Sequence, residues 1–241
     1  MSLVHYTYLL VDIGCFIIPF IFSYHPKIEF YKEVTFLRLP NLITAFLFLV
    51  WDAFYTRMGI WGFNPKYLTD FYIFNLPLEE VLFFLLIPYS CVFIYWCFRL
   101  FVKTSAPKST FYLSLKLLAL SLFATGAVNY SKYYTSATFI LLAIILYLLA
   151  QLKAIFLKPF MISFGIVLIP FFISNGLLTG SFLAEPVVQY NNTYNLGIRL
   201  FTIPLEDIFY AMLLLILNVS GYEYIKARNN SSKLKQSNFY L

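Results

Sequence analysis

Residues 59–80 read GIWGFNPKYLTDFYIFNLPLEE, and residues 186–207, offset by 127 positions, read PVVQYNNTYNLGIRLFTIPLED. Phe63-Asn64 aligns with Tyr190-Asn191, Tyr67 with Tyr194, and Pro77-Leu78-Glu79-Glu80 with Pro204-Leu205-Glu206-Asp207. This much agreement in one register marks an internal duplication. Each copy closes on a proline and two acids at the head of a long apolar run. Upstream, the segment from Asp52 to Thr56 aligns with that from Asn175 to Thr179 once four residues are inserted, with Asn175 standing where a second Asp52 is expected.

The surrounding chain is apolar throughout. Of 241 residues, 61% are hydrophobic and only 12% charged, against about 25% charged in an ordinary soluble domain. A soluble enzyme, a nucleic-acid module and a secreted disulfide scaffold are excluded on that ground, and the net charge of +6 forms no basic strip that could follow phosphates. Cys15, Cys91 and Cys97 lie inside apolar stretches without a C-x-x-C pair, so they read as small core residues. With His5 and His25 the only histidines, no metal site is expected.

Hydropathy predicts seven spans, at roughly residues 3–23, 37–56, 76–101, 111–128, 133–151, 159–178 and 198–220, each about the 20 residues that a bilayer core requires. The first lacks a basic lead-in and a small-residue cleavage site, so it is expected to stay in the protein. Thirteen Lys and Arg fall on one side of these spans, whereas only Arg57, Lys66, Lys132 and Arg199 fall on the other. That bias predicts an external N-terminus and a cytoplasmic C-terminus. The mixed segment from Pro26 to Leu37 is expected to lie in the interface plane, and the polar tail from Asn229 to Leu241 to be loose.

The expected fold is therefore an all-α integral membrane protein of two parallel three-helix repeats. Residues 1–108 hold spans one to three, residues 109–130 a connector span, residues 131–225 spans five to seven, and residues 226–241 a polar tail. Function in parallel-repeat folds gathers where the repeats meet.

The proline in each motif suits a first helical turn, where its missing N–H has no partner to lose. The acids that follow would complement the positive helix end, and the same two acids could serve only as interface residues. Their recurrence with matching polar neighbours favours a role in chemistry, because ionisable groups inside membranes are costly and usually face the bundle interior. Neighbours on a helix differ by about 100°, so Glu79 and Glu80 cannot point the same way. One acid of each pair is expected to work while the other orients it or holds the helix end. Trp51, Trp61, Phe63, Tyr67, Tyr190 and Tyr194 accompany the acids, and ring faces attract cations. An acid among rings in a dry chamber can protonate an olefin and stabilise the carbocation that results.

With its two P-x-E-E/D motifs, Trp51-Asp52, Tyr190-Asn191, Leu196-Gly197 and Arg199-Leu200, the chain resembles the membrane-integral lycopene cyclases, which occur as two small subunits in some actinobacteria and as a domain of fungal bifunctional enzymes. The resemblance covers most of the chain, concentrated in residues 50–96 and 170–224. It implies redox-neutral cyclisation of the linear ends of lycopene to β-rings, giving γ-carotene and then β-carotene. Glu79, Glu80, Glu206 and Asp207 would be acid and base, and Asp52 a proton relay or the ion-pair partner of Arg57 or Arg199. Trp51, Trp61, Phe63, Asn64, Tyr67, Pro77, Tyr190, Asn191, Tyr194, Arg199 and Pro204 would shape the substrate site. No G-x-G-x-x-G follows a strand, so no nucleotide cofactor is expected. The partner would be lycopene or a related linear carotene entering sideways from the lipid, in a bacterial inner membrane. Aspartate-rich clusters of the prenyltransferase kind are absent, as is a lysine in the last span that could hold retinal. A transporter built on parallel repeats could use the same acids.

Overall fold

The computed structural model describes residues 3–237. Seven helices are present: α1 (Thr7–Phe22), α2 (Phe30–Arg57), α3 (Leu78–Phe101), α4 (Ser109–Val128), α5 (Tyr133–Gln151), α6 (Leu157–Leu178) and α7 (Leu205–Ser237). Seven spans are long and apolar enough to cross a membrane, α1 counted with the short 3-10 turn Leu3–Tyr6 before it and α7 as far as Asn230. In lipid the backbone must satisfy its own hydrogen bonds, which a helix does. The chain is an all-α integral membrane protein.

Three expectations need correcting. The segment before Leu37 is not an in-plane piece, because α2 runs unbroken from Phe30, and both Phe30 and Leu37 are buried. At 28 residues this helix is about 42 Å long, well beyond a hydrocarbon core of about 30 Å. The last span starts at Leu205 rather than near residue 198, since residues 199–204 form a hairpin. The tail is helical through Ser237, with no Gly or Pro after Gly221 to stop it. Residues 238–241 of the expected loose tail lie outside the described residues.

Helices α3 and α7 touch each other at the centre. Helices α1, α2 and α6 pack on α3, while α2, α5 and α6 pack on α7, and α4 lies against α5. At one end the helices are tied by charge. Glu33 on α2 accepts from Tyr222 at 2.5 Å and from Lys226 at 2.6 Å, both on α7, while Glu223 accepts from Tyr95 at 2.9 Å and pairs with Arg99, both on α3.

At the other end six short strands cover the helices. Strands β2 (Tyr72–Ile73) and β3 (Leu76–Pro77) make one hairpin, β5 (Arg199–Leu200) and β6 (Ile203–Pro204) another, with Tyr72 opposite Pro77 and Arg199 opposite Pro204. Phe74 and Phe201 hold the left-handed conformation at the two tips, at φ 57° and 58°. Strand β1 (Trp61–Phe63) pairs antiparallel with β4 (Val188–Tyr190), its own counterpart at the 127-residue offset. Trp61 faces Tyr190, Phe63 faces Val188, and Gly62 and Gln189 sit at the centre. The pairing is self-complementary. It is flanked by Asn64 N–H donating to Val187 at 2.8 Å and Asn191 N–H donating to Ile60 at 2.9 Å, again one bond repeated at the offset.

Helices α2 and α7 approach closely at Gly221. A Cβ on Gly221 would lie 2.7 Å from Pro40 Cβ and 3.0 Å from Pro40 Cγ. Gly221→Leu is expected to lose about 1–3 kcal/mol through overpacking, read as a lower thermal midpoint of the detergent-solubilised protein. Wild-type stability in that variant would refute the close contact.

Candidate functional site

Each proline of the duplicated motif ends its hairpin and caps the next helix. Pro77 sits at φ −65°, ψ 150°, an extended conformation in which it closes β3 and opens α3. The first helical N–H groups, on Leu78 and Leu205, donate to Phe71 and Ile198 carbonyls at 2.8 and 2.9 Å. The first acid of each pair serves the same joint. Glu79 Oε1 accepts the Thr69 backbone N–H at 2.7 Å, and Glu206 Oε1 accepts that of Leu196 at 2.7 Å. Glu206 also accepts the Thr135 hydroxyl at 2.5 Å. These carboxyls cement the loop to the helix and do not line the cavity.

The second acid of each pair, one step round the helix, faces inward. Glu80 Oε2 accepts the Tyr8 hydroxyl at 2.5 Å and its carboxyl faces that of Asp52. Asp52 Oδ1 in turn accepts the Trp61 indole N–H. Asp207 Oδ1 accepts the Tyr134 hydroxyl at 2.7 Å, while Oδ2 accepts the Asn175 amide at 2.8 Å and the Tyr190 hydroxyl at 3.0 Å. Burial, and after it the charge of Asp207, push the Tyr190 hydroxyl above its ordinary range, so it remains a donor. The two clusters have one plan: a tyrosine from the first helix of each half, Asp52 or Asn175 from the second, and the acid from the third. They differ in one respect. Asn175 offers Asp207 a donor where Asp52 offers Glu80 a second carboxyl.

Both acids open onto one cavity of about 300 Å³. Trp61, Phe63, Tyr134, Tyr190 and Tyr210 line it beside them, with no Lys or Arg in its wall. The rings support one another: Trp61 meets Tyr134 edge-on at 5.1 Å, and Tyr134 stacks on Tyr190 at 5.9 Å. Among the described residues the buried Tyr210 hydroxyl has no hydrogen-bond partner, and it sits among Asp52, Glu80 and Asp207.

The other expected site residues act at one remove. Trp51 packs behind Tyr210 at 5.3 Å. Asn64 and Asn191 cap the short turns Pro65–Tyr67 and Asn192–Tyr194, each accepting a backbone N–H at 3.1 Å. Tyr67 is buried in the small cluster that includes Tyr8, and Tyr194 stacks on Tyr133. Pro77 and Pro204 are buried hairpin residues. Arg199 donates to Thr202 and Asn192, at 2.6 and 3.0 Å, and lies over the Tyr190 ring. Among the described residues Asp52 forms no ion pair with Arg57 or Arg199, because Trp61 and Glu80 occupy it.

Sequence reasoning missed Tyr8 and Tyr134. It also missed Asp12, buried on α1 beside Glu79, neither of whose oxygens is hydrogen-bonded among the described residues. The signal for the first two was available: Tyr8 and Tyr134 stand at an offset of 126, almost that of the motifs, and extending the alignment into spans one and five would have paired them.

Fold and site together define a membrane-embedded protein whose centre is an apolar, ring-walled chamber with carboxyls from two matching clusters. A family model described as lycopene cyclase matches residues 5–98 and again residues 131–225. The chain belongs to the lycopene cyclase family, and so to the enzymes of carotenoid cyclisation. No curated protein and no solved structure matches it.

Since Glu206 holds two donors that would otherwise be buried without partners, Glu206→Ala is expected to lose about 1–3 kcal/mol per orphaned group. Glu206→Gln, which keeps an acceptor oxygen, should recover most of that. Equal thermal midpoints for the two variants would refute the structural role.

Proposed function

We propose that the protein cyclises the linear ends of lycopene to β-rings, forming γ-carotene and then β-carotene without change of oxidation state. A carboxyl of the Glu80–Asp52 pair gives its proton to the terminal double bond. The next double bond in reach attacks the tertiary cation and closes the ring, and a carboxylate removes a ring proton to leave the new double bond. One proton enters and one leaves, so the product is an isomer of the substrate. Asp207, the acid of the second cluster, is the group on the same cavity able to accept that proton.

The observation that carries this reading is the opening of Glu80 and Asp207 onto one apolar cavity with Trp61, Tyr134, Tyr190 and Tyr210 around them. Ring faces stabilise a desolvated cation by about 2 kcal/mol or more each, and a wall without Lys or Arg adds no repulsion to it. Keeping water out matters equally, because water would capture the cation as an alcohol. The carotene lies in the bilayer and enters between helices. The halves, residues 1–108 and 131–225, act as parallel repeats joined by α4, with the N-terminus outside, the C-terminus cytoplasmic and the chain in a bacterial inner membrane.

Expression in a lycopene-accumulating bacterium should turn the cells from red to yellow, with cyclic carotenes on chromatography. Glu80→Gln and Asp207→Asn are each expected to lower cyclic product by about 100-fold or more, the usual weight of an acid or base catalyst, at unchanged protein level in the membrane. Full activity in both would remove the assignment of the acids.

A further inference from the structure

The acid clusters follow a near-twofold plan, but the cavity they open onto does not. On one side it continues from Glu80 along α3 as far as Ile94, about 21 Å of helix at 1.5 Å per residue. Helices α1 and α6 form its other walls, and Ile18, a wall residue, is 61% exposed, so the channel reaches the lipid-facing surface. On the related side it stops at Leu215 of α7. No residue of α2 lines it, and Tyr134 alone of α5 does.

Side-chain size accounts for the difference. Cys15, Ser90, Cys91 and Ser174 line the open channel. At the related positions of the other half stand Leu141, Leu217, Asn218 and Trp51. Trp51 and its neighbour Phe48 press against Tyr210, at ring distances of 5.3 and 5.0 Å, and stand between the acid chamber and the related side. At the far end Ile94 borders the channel, whereas its counterpart Gly221 and the nearby Pro40, Thr44, Leu47 and Leu217 line a separate groove between α2 and α7 that none of the acids borders.

We propose that the two halves make one composite site with one channel for a linear apolar polyene. One end group lies between Glu80 and Asp207 while the chain runs out along α1, α3 and α6 into the lipid. A single channel handles one end per binding event. The monocyclic product must leave and return reversed before its second end can react. This rests on the cyclase reading above.

The test is a time course on membranes that hold the full chain, supplied with lycopene, with acyclic, monocyclic and dicyclic carotenes separated. Free monocyclic carotene is expected ahead of, or in place of, the dicyclic product. Dicyclic product formed with no free monocyclic carotene overturns the proposal. No cyclic product at all from the wild-type chain overturns the cyclase reading, and this proposal with it. Two variants locate the channel. Ser90→Trp, inside it, should lower cyclic product by about tenfold or more, while Leu217→Trp, at the related position in the separate groove between α2 and α7, should stay within about twofold. Protein amount and thermal midpoint are measured for both. Equal losses in the two variants at equal stability place the substrate elsewhere and overturn the proposal.

Discussion

A carboxyl in a low-dielectric interior must find hydrogen-bond donors or share its proton, since an isolated buried charge is far too costly to keep. The architecture around the four acids is a set of answers to that constraint. Glu79 and Glu206 take backbone N–H groups of the preceding loops, which pins each hairpin to its helix. Asp207 takes two phenolic hydroxyls and an amide. Glu80 takes one phenolic hydroxyl and is left facing Asp52. None of these acids depends on a lysine or arginine, so the chamber carries reactive carboxyls without the cations that would oppose a carbocation.

The same solution is built twice from different pieces of chain. Tyr8 on α1 and Tyr134 on α5 reach the inward acids of α3 and α7, and β1 and β4 bind the two loops across Gly62 and Gln189. The loop strands are too short to stand alone. Their order comes from the helix ends beneath them and from the acids that anchor them.

Much of this could be read in the sequence, and the reasons differ by element. Spans α3 to α6 were placed within a few residues because apolar length in a membrane is a strong signal. Hydropathy sets the start of α2 too late and that of α7 too early. The first carries Lys32, Glu33 and Arg38 in a helix that outreaches the hydrocarbon, and the second is preceded by apolar hairpin residues that hydropathy counts as helix. The motif identified both acid pairs, but which member faces inward depends on helix phase and on loop N–H groups, neither of which a motif states. Asp12 is invisible for another reason: a lone acid in an apolar run looks like a membrane-interface residue until a partner from a distant helix is known. Asn64 and Asn191 cap turns, and Tyr67 and Tyr194 pack those turns against their neighbours; recurrence alone does not separate a scaffold from a site.

The self-complementary pairing of β1 with β4 carries a consequence for descent. A strand that pairs with its own copy about a central residue is what two separate identical subunits would use to meet. Identical subunits so related must have identical grooves, both open or both shut. Only after the copies became distinguishable, one gaining Trp51 and the other Ser174 at matching places, could one groove be cut off from the acids while the other stayed a passage. Directionality is thus a property that the duplicated ancestor could not have had.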